Sequence, residues 1–381
     1  MIISLLSSKK AIYISLALLA IISLWTGCKS VPQSENIRRL LYVASPGIRN
    51  YLEFGGHGVL VYDIDQGHSF VKRISLDGYG LNEKGEPLNI KGICAHAKTG
   101  KLYVTTTRHL ICLDLNTEKV IWEKTYPEGC DRMSISPDGK IIYLPSFEKD
   151  RWYVVSGKDG SVITEIVPNS RAHNTVYGID GKYVYLAGLG SPYLTVAETQ
   201  NHTTARTIGP FSHSIRPFTV NGNQTLCFVN VNDLLGFEVG DMVSGKMIHR
   251  VEVAGYEKGA VKRHGCPSHG IGLTPNEKEL WVVDGANSMV HFFDATVMPP
   301  KQMTSVALRE QPGWVTFSID GSLAWLSTGE VFDVKTHTIA AALSDEEGRM
   351  VQSEKVIEID FKNGKPFLAG DQFGRGYITT K

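Results

Sequence analysis

Residues 136–144 read Ser-Pro-Asp-Gly-Lys-Ile-Ile-Tyr-Leu. Turn formers give way abruptly to a run of β-branched and aromatic residues, so the stretch predicts a tight turn feeding a strand. The Asp-Gly pair is expected to supply the positive φ angles of that turn. The same grammar returns at Ile179-Asp180-Gly181-Lys182 before Val184-Tyr185-Leu186, at Thr274-Pro275-Asn276-Glu277-Lys278 before Leu280-Trp281-Val282-Val283, and at Ser318-Ile319-Asp320-Gly321 before Leu323-Ala324-Trp325-Leu326. Weaker copies stand at Lys98-Thr99-Gly100-Lys101, Asn221-Gly222 and Asn363-Gly364-Lys365. The spacing is roughly 40 to 45 residues with one longer interval, a propeller period.

Each turn is expected to join an inner strand to a second one, with a third such as Trp152-Tyr153-Val154-Val155 and a more polar fourth such as Lys119-Val120-Ile121-Trp122 completing a four-stranded blade. Six complete blades run from about Gly92 to about Leu343. Before them lies a blade without an inner strand (Leu40-Leu41-Tyr42-Val43, Val59 to Asp63, Phe70 to Ile74), and after them a strand without a blade, Val356 to Phe361. Joining the two gives an all-β, seven-bladed β-propeller whose ring is closed by the C-terminal strand, leaving no exposed sheet edge.

The N-terminus reads differently. Lys9 and Lys10 precede an apolar run from Ala11 to Trp25, too short for an ordinary membrane span and typical of a signal-peptide core. It ends at Thr26-Gly27-Cys28, which resembles the lipobox of bacterial lipoproteins, with Trp25 standing where an aliphatic residue is usual. That resemblance implies cleavage before Cys28, lipidation of Cys28, and a tether over residues 29–38 leading to a propeller over residues 39–381. It further implies a cell-envelope location with membrane attachment through lipid alone. No acidic residue stands beside Cys28, which under the enteric sorting rule favours the outer membrane. Lys plus Arg and Asp plus Glu are equal at 39 each, so no global field draws the chain to nucleic acid. Cysteines are sparse and lack CxxC or CxxCH spacing; Cys94, Cys112 and Cys227 are expected as buried apolar residues, and no structural disulfide is expected.

A strand, Ser-Pro-Asp-Gly-Lys, Leu-Tyr-Val and then a Val-x-Val-x-Asp strand resembles the YVTN-repeat, YncE-like propellers; Leu41-Tyr42-Val43-Ala44 with Gly58-Val59-Leu60-Val61-Tyr62-Asp63 is the best single match. The resemblance spans nearly all of the chain after the leader and speaks to fold, because such propellers include binding proteins, enzyme subunits and lyases.

Inner strands line the channel of a propeller, so the residues preceding each one form a mouth. Aligned on the turns, these are Lys91, Asp131-Arg132, Arg171 with His173-Asn174, His213 with Arg216, His269, Trp314 and Glu354-Lys355. The ring is cationic and aromatic, which suits a small anionic or glycan ligand gripped by Lys91, Arg132, Arg171, Asn174 and Lys355, with Trp314 offering a ring face. An envelope protein docked on one face is the other binding partner considered. His264-Gly265-Cys266-Pro267-Ser268-His269 is the densest donor cluster, and a divalent metal ion held by His173, His213, His264 and His269 is the cofactor considered. The layout is similar to that of oligogalacturonate lyase and virginiamycin B lyase, although neither family's full motif is matched.

Two functions therefore stand open: a ligand-binding module, or a metal-assisted lyase or hydrolase acting on a carbohydrate or lactone, with His173 or His269 as base or ligand and Arg216 facing the substrate's anion. The enzyme reading expects His173, His269 and a further donor within metal-binding distance. A quinoprotein-like subunit ranks last, because no haem or tryptophan-derived cofactor signature supports it. The Gly370–Tyr377 stretch, with three glycines and no following helix, has no assigned role.

Overall fold

The computed structural model describes residues 36–260 and 263–378. The leader, Cys28 and most of the expected tether lie outside the described residues. Ile37 and Arg38, at the tether's expected end, belong instead to a strand, Ile37–Ser45.

Seven antiparallel sheets form the ring. Six take their four strands consecutively: blade 2 from residues 90–125, blade 3 from 134–166, blade 4 from 172–208, blade 5 from 215–252, blade 6 from 268–307 and blade 7 from 315–342. Second strands such as Ile141–Pro145 and Tyr183–Gly188 are buried almost throughout, because neighbouring blades cover both faces. Outer strands such as Val162–Ile166 expose nearly every side chain.

In several blades the aromatic residue of the second strand reaches across to the next blade. Tyr103 of blade 2 donates its hydroxyl to the Gly157 carbonyl of blade 3 at 2.5 Å, and Tyr185 of blade 4 donates to Gln224 Oε1 of blade 5 at 2.8 Å. Trp325 of blade 7 donates to His68 Nε2 of blade 1 at 2.9 Å. The Leu-Tyr-Val of the repeat is thus an inter-blade tie, apolar in body and polar at its tip.

The turn differs in one respect from its expected form. Gly139, Gly181 and Gly321 have positive φ (72°, 74° and 71°), whereas the preceding aspartates do not. Gly139 N donates to Ser136 O at 2.8 Å, while Asp138 Oδ1 accepts from Ser136 Oγ at 2.6 Å and from Lys140 N at 3.1 Å. A single left-handed position closes the turn, and the aspartate serves by accepting hydrogen bonds. The true two-residue hairpin is Asn363-Gly364, where both φ angles are positive, 52° and 78°.

Blade 1 closes the ring. Val356–Lys362 is its inner strand and pairs antiparallel with Ile37–Ser45, in register from Ile37 opposite Lys362 to Val43 opposite Val356. The hairpin at Asn363 adds a fifth strand, Lys365–Ala369, on the channel side. Arg39 grips the buried Glu358 across the closing pair, Nε to Oε1 at 2.9 Å. Asp360 lies beside them, and burial together with Glu358 and Asp65, against Arg39, pushes its carboxyl up to about 7.

Because the folded chain holds the Asp360 proton to higher pH than an unfolded one, stability falls as pH rises from about 4 to about 7 and stays reduced above. Asp360→Asn is expected to flatten that slope and to raise stability at pH 8 by about 1 kcal/mol after allowance for solvent screening. Urea titrations at pH 5 and pH 8 measure it; an identical pH slope in the variant refutes the assignment.

The chain after Ala369 does not leave the ring. It runs along the axis and bonds to every blade. Gly370 N donates to Glu358 O of blade 1 at 2.8 Å, and Gln372 bridges Ile93 N of blade 2 (3.1 Å) and Met133 O of blade 3 (2.8 Å). Arg375 donates to Tyr177 O of blade 4. Gly376 N donates to Val220 O of blade 5 at 3.0 Å, and Leu273 N of blade 6 donates to Gly374 O at 2.9 Å. Trp314 Nε1 and Thr316 Oγ1 of blade 7 donate to Gln372 O (2.8 Å) and Asp371 O (3.0 Å). The segment is an axial plug, and its glycines are needed for close approach: a Cβ on Gly374 would lie 2.9 Å from Gly272 Cα.

Candidate functional site

One end of the channel, above the plug, forms a cup of about 220 Å³. Four of its side chains arrive by the same device. Lys91, His173 and His269 are each the extra residue of a β-bulge between inner and second strand, and Arg216 lies in a longer irregularity of the same kind. A bulge breaks the in-out alternation and turns a side chain toward the axis. Arg132, Glu354 and Lys355 enter from the residues just before their inner strands.

The cup has two buried ion networks. In one, His173 Nδ1 donates to Asp131 Oδ2 at 2.8 Å, and Lys91 Nζ lies 3.4 Å from Asp131 Oδ1. In the other, Glu354 Oε2 accepts from Arg132 Nη2 at 2.9 Å and from Lys355 Nζ at 2.8 Å. Lys355 also donates to Gly47 O at 2.8 Å. The Arg132 guanidinium lies 3.5 Å above the Trp314 ring, whose indole nitrogen is held by the plug.

Burial dominates the electrostatics. It lowers Lys355 to about 7, with Arg132 and Lys91 acting in the same direction and Glu354 opposing. Burial pushes the Glu354 carboxyl up, but Lys355, His264, His269 and Arg132 outweigh it and hold the group well below the usual carboxylate range. Asp131 is lowered likewise, His173, Lys91 and Arg132 outweighing its burial. Burial lowers His173, His264 and His269, against the pull of Asp131 on the first and Glu354 on the other two.

The imidazoles of His264 and His269 stack with centroids 4.3 Å apart. With Glu354 they offer one ligand atom each, all within 4.8 Å of one another. His173 belongs to the Asp131 network instead. His213 projects outward, its side chain about half exposed and 3.9 Å from Asp233, and does not line the cup. Arg171, in a left-handed conformation (φ 59°), turns to the rim and pairs with Glu148 at 2.7 Å. Asn174 is buried, and neither amide atom has a hydrogen-bond partner among the described residues. Trp314 is buried beneath Arg132, so the face expected for a sugar is given to the guanidinium.

Further wall residues come from loops the strand alignment did not reach. Arg49, Phe147, Glu148 and Leu189 lie between second and third strands, and Asn89 and Arg263 in links between blades. In an up-and-down blade the loop after the second strand opens at the same end as the start of the inner strand, and that rule would have found them. A larger hollow of about 400 Å³ at the opposite end, beside the plug, has its charged pair Arg375 and Asp371 engaged with each other at 3.1 Å.

The five cysteines among the described residues are all buried, and none is paired with another. No family model matches the chain, and no curated protein is significantly similar to it.

Proposed function

We propose that this propeller is a YncE-like, lipid-anchored envelope protein that binds a small anionic or sugar-acid ligand in the cup. The observation that carries the binding reading is the charge of the wall. Five cationic side chains (Arg49, Lys91, Arg132, Arg216, Arg263) and Lys355, an amine lowered to about 7, face a volume shared with only two carboxylates, Glu148 and Glu354. Buried carboxylates hold the inner cations in place, so binding an anion requires little reordering. About 220 Å³ lies below the usual drug-sized range, which points to a compact ligand. The anchor rests on the Thr26-Gly27-Cys28 sequence, and palmitate labelling that persists in Cys28→Ser would refute it.

Calorimetric titration of the full-length protein with galacturonate, citrate and glucose 6-phosphate, against glucose, tests the binding reading. The acids are expected to bind, more weakly as salt rises, with Lys91→Ala and Arg216→Ala each costing about 10- to 100-fold in affinity. Equal binding of glucose, no binding of any acid, or unchanged affinity in both variants would sink it.

The enzyme reading has one observation of its own. His173, oriented by a buried carboxylate at 2.8 Å, lines the cup with its other nitrogen unengaged among the described residues. An imidazole so oriented, with burial favouring its neutral form, is a competent base beside a bound anion. Unsaturated product from a uronate oligomer, absent in His173→Ala, would move the assignment from binding module to lyase.

A further inference from the structure

We infer that His264, His269 and Glu354 form a site for a zinc-class divalent cation in the wall of the cup. The inference goes beyond the anion-binding reading and stands without it.

Tautomers come first. His269 Nδ1 lies 3.0 Å from Gly313 O, and His264 Nε2 lies 3.3 Å from Gln311 O. A carbonyl only accepts, so each of these nitrogens carries the ring proton. His269 is left with a lone pair on Nε2 and His264 with one on Nδ1. Such backbone contacts are the usual outer partners of metal-binding imidazoles, fixing both tautomer and ring direction.

The carboxylate is divided in the same way. Glu354 Oε2 is taken by Arg132 and Lys355, leaving Oε1 for the histidines; the His269 nitrogen that faces it, at 3.9 Å, is Nδ1, so His269 ligates through that atom only by giving up its bond to Gly313 O. His264 Nδ1 stands 3.4 Å from Oε1. Two lone pairs facing each other require a cation between them, and 3.4 Å is longer than a good hydrogen bond. It matches the edge, about 3.3 Å, of a tetrahedron with ligand distances of ~2.0–2.1 Å. The competing occupant is a proton, which would make the pair an ordinary ion pair.

A third observation concerns packing. A Cβ on Gly313 would come within 2.2 Å of the His264 ring and 2.7 Å of Glu354 Oε1. Only glycine at this position lets the donors converge. Two imidazoles and one carboxylate select zinc and its first-row neighbours over calcium or magnesium, and three protein ligands leave a coordination position open. All three ligands line the cup, so an anion bound among its cations would lie beside the ion.

Metal-stripped full-length protein dialysed against Zn²⁺ should take up about one equivalent, and Mg²⁺ or Ca²⁺ should not compete. His264→Ala and His269→Ala should each weaken uptake by about 100-fold or more while retaining the wild-type circular dichroism spectrum. Co²⁺ in the wild type should give the visible d–d absorption of a low-coordinate site, a readout that needs no variant. Absence of stoichiometric Zn²⁺ and of the Co²⁺ band, or uptake unchanged in both folded variants, would overturn the proposal and leave a proton between His264 and Glu354. Because Zn²⁺ uptake is read without any anion, its failure and that of the anion-binding reading are separate results.

Discussion

A chain ending at Ala369 should melt at least roughly 7 °C below the full-length protein, a loss of at least about 5 kcal/mol. The truncation removes no blade strand. It deletes Phe373, which is buried against Trp314 with rings 5.6 Å apart, and a Phe-to-Ala change at such a site alone costs about 3–5 kcal/mol. It also deprives the inner strands of partners. Ile93 N, Leu273 N and the carbonyls of Met133, Tyr177 and Val220 all bond to the plug, and each buried group left unpaired costs about 1–3 kcal/mol unless water replaces the partner. Entry of water into the opened channel is what keeps the estimate modest. Differential scanning calorimetry decides it, with Phe373→Ala as the milder companion. A truncated chain melting within about 2 °C of full length would show that the plug contributes little to the ring.

Removing the Glu354 carboxylate should be nearly as damaging. Arg132 and Lys355 are both about 3 % exposed and both bond to Glu354 Oε2. In Glu354→Ala two cations stay buried without their counter-ion, a situation that costs about 3–5 kcal/mol. The partner cations respond unequally, since an amine already lowered to about 7 can shed its proton whereas a guanidinium does not. Since Glu354 is what holds Lys355 as high as about 7, Glu354→Ala is expected to lose more stability at pH 5 than at pH 8, and Lys355→Met in the same chain to recover part of the loss at pH 5. Denaturant titrations in the presence of chelator, which keep metal out of the comparison, measure both. A loss under about 1 kcal/mol would mean that water reaches this network.

Much of this was legible before any coordinates. The turn of residues 136–140 fixes the register of its blade, so the residue a set distance before it must fall at the mouth. That reasoning reached Lys91, Arg132, His173, Arg216, His269 and Glu354-Lys355, all of which line the cup. It failed where a local dihedral decides direction. Arg171 precedes its strand as the others do, but its left-handed backbone sends the side chain to the rim. His213 lies two residues ahead of its strand, beyond the reach of the bulge that turns Arg216 inward. Trp314 was placed at the mouth and sits below it, because the plug captures its indole nitrogen. The plug itself was unreadable: short glycine-rich tails share a composition whether they lie on a surface or along an axis, and only the channel's walls distinguish them. Glu354 was noted as a charge in a cationic ring, and its alliance with His264 depends on a contact 90 residues away that no spacing encodes.

The closure of blade 1 has a consequence for how the molecule is made. Arg39 and Glu358 are 319 residues apart, so the strands they tie are made far apart in time. Until the final segment arrives, residues 37–43 present an unpaired, largely apolar sheet edge to whatever else is nearby. Separations of this size slow folding, since a long loop must close before any contact rewards it. Six blades can form as the chain lengthens, yet the ring cannot lock until Val356–Lys362 is in place beside Ile37–Ser45. A chain of this protein thus keeps an open edge until Val356–Lys362 pairs with Ile37–Ser45.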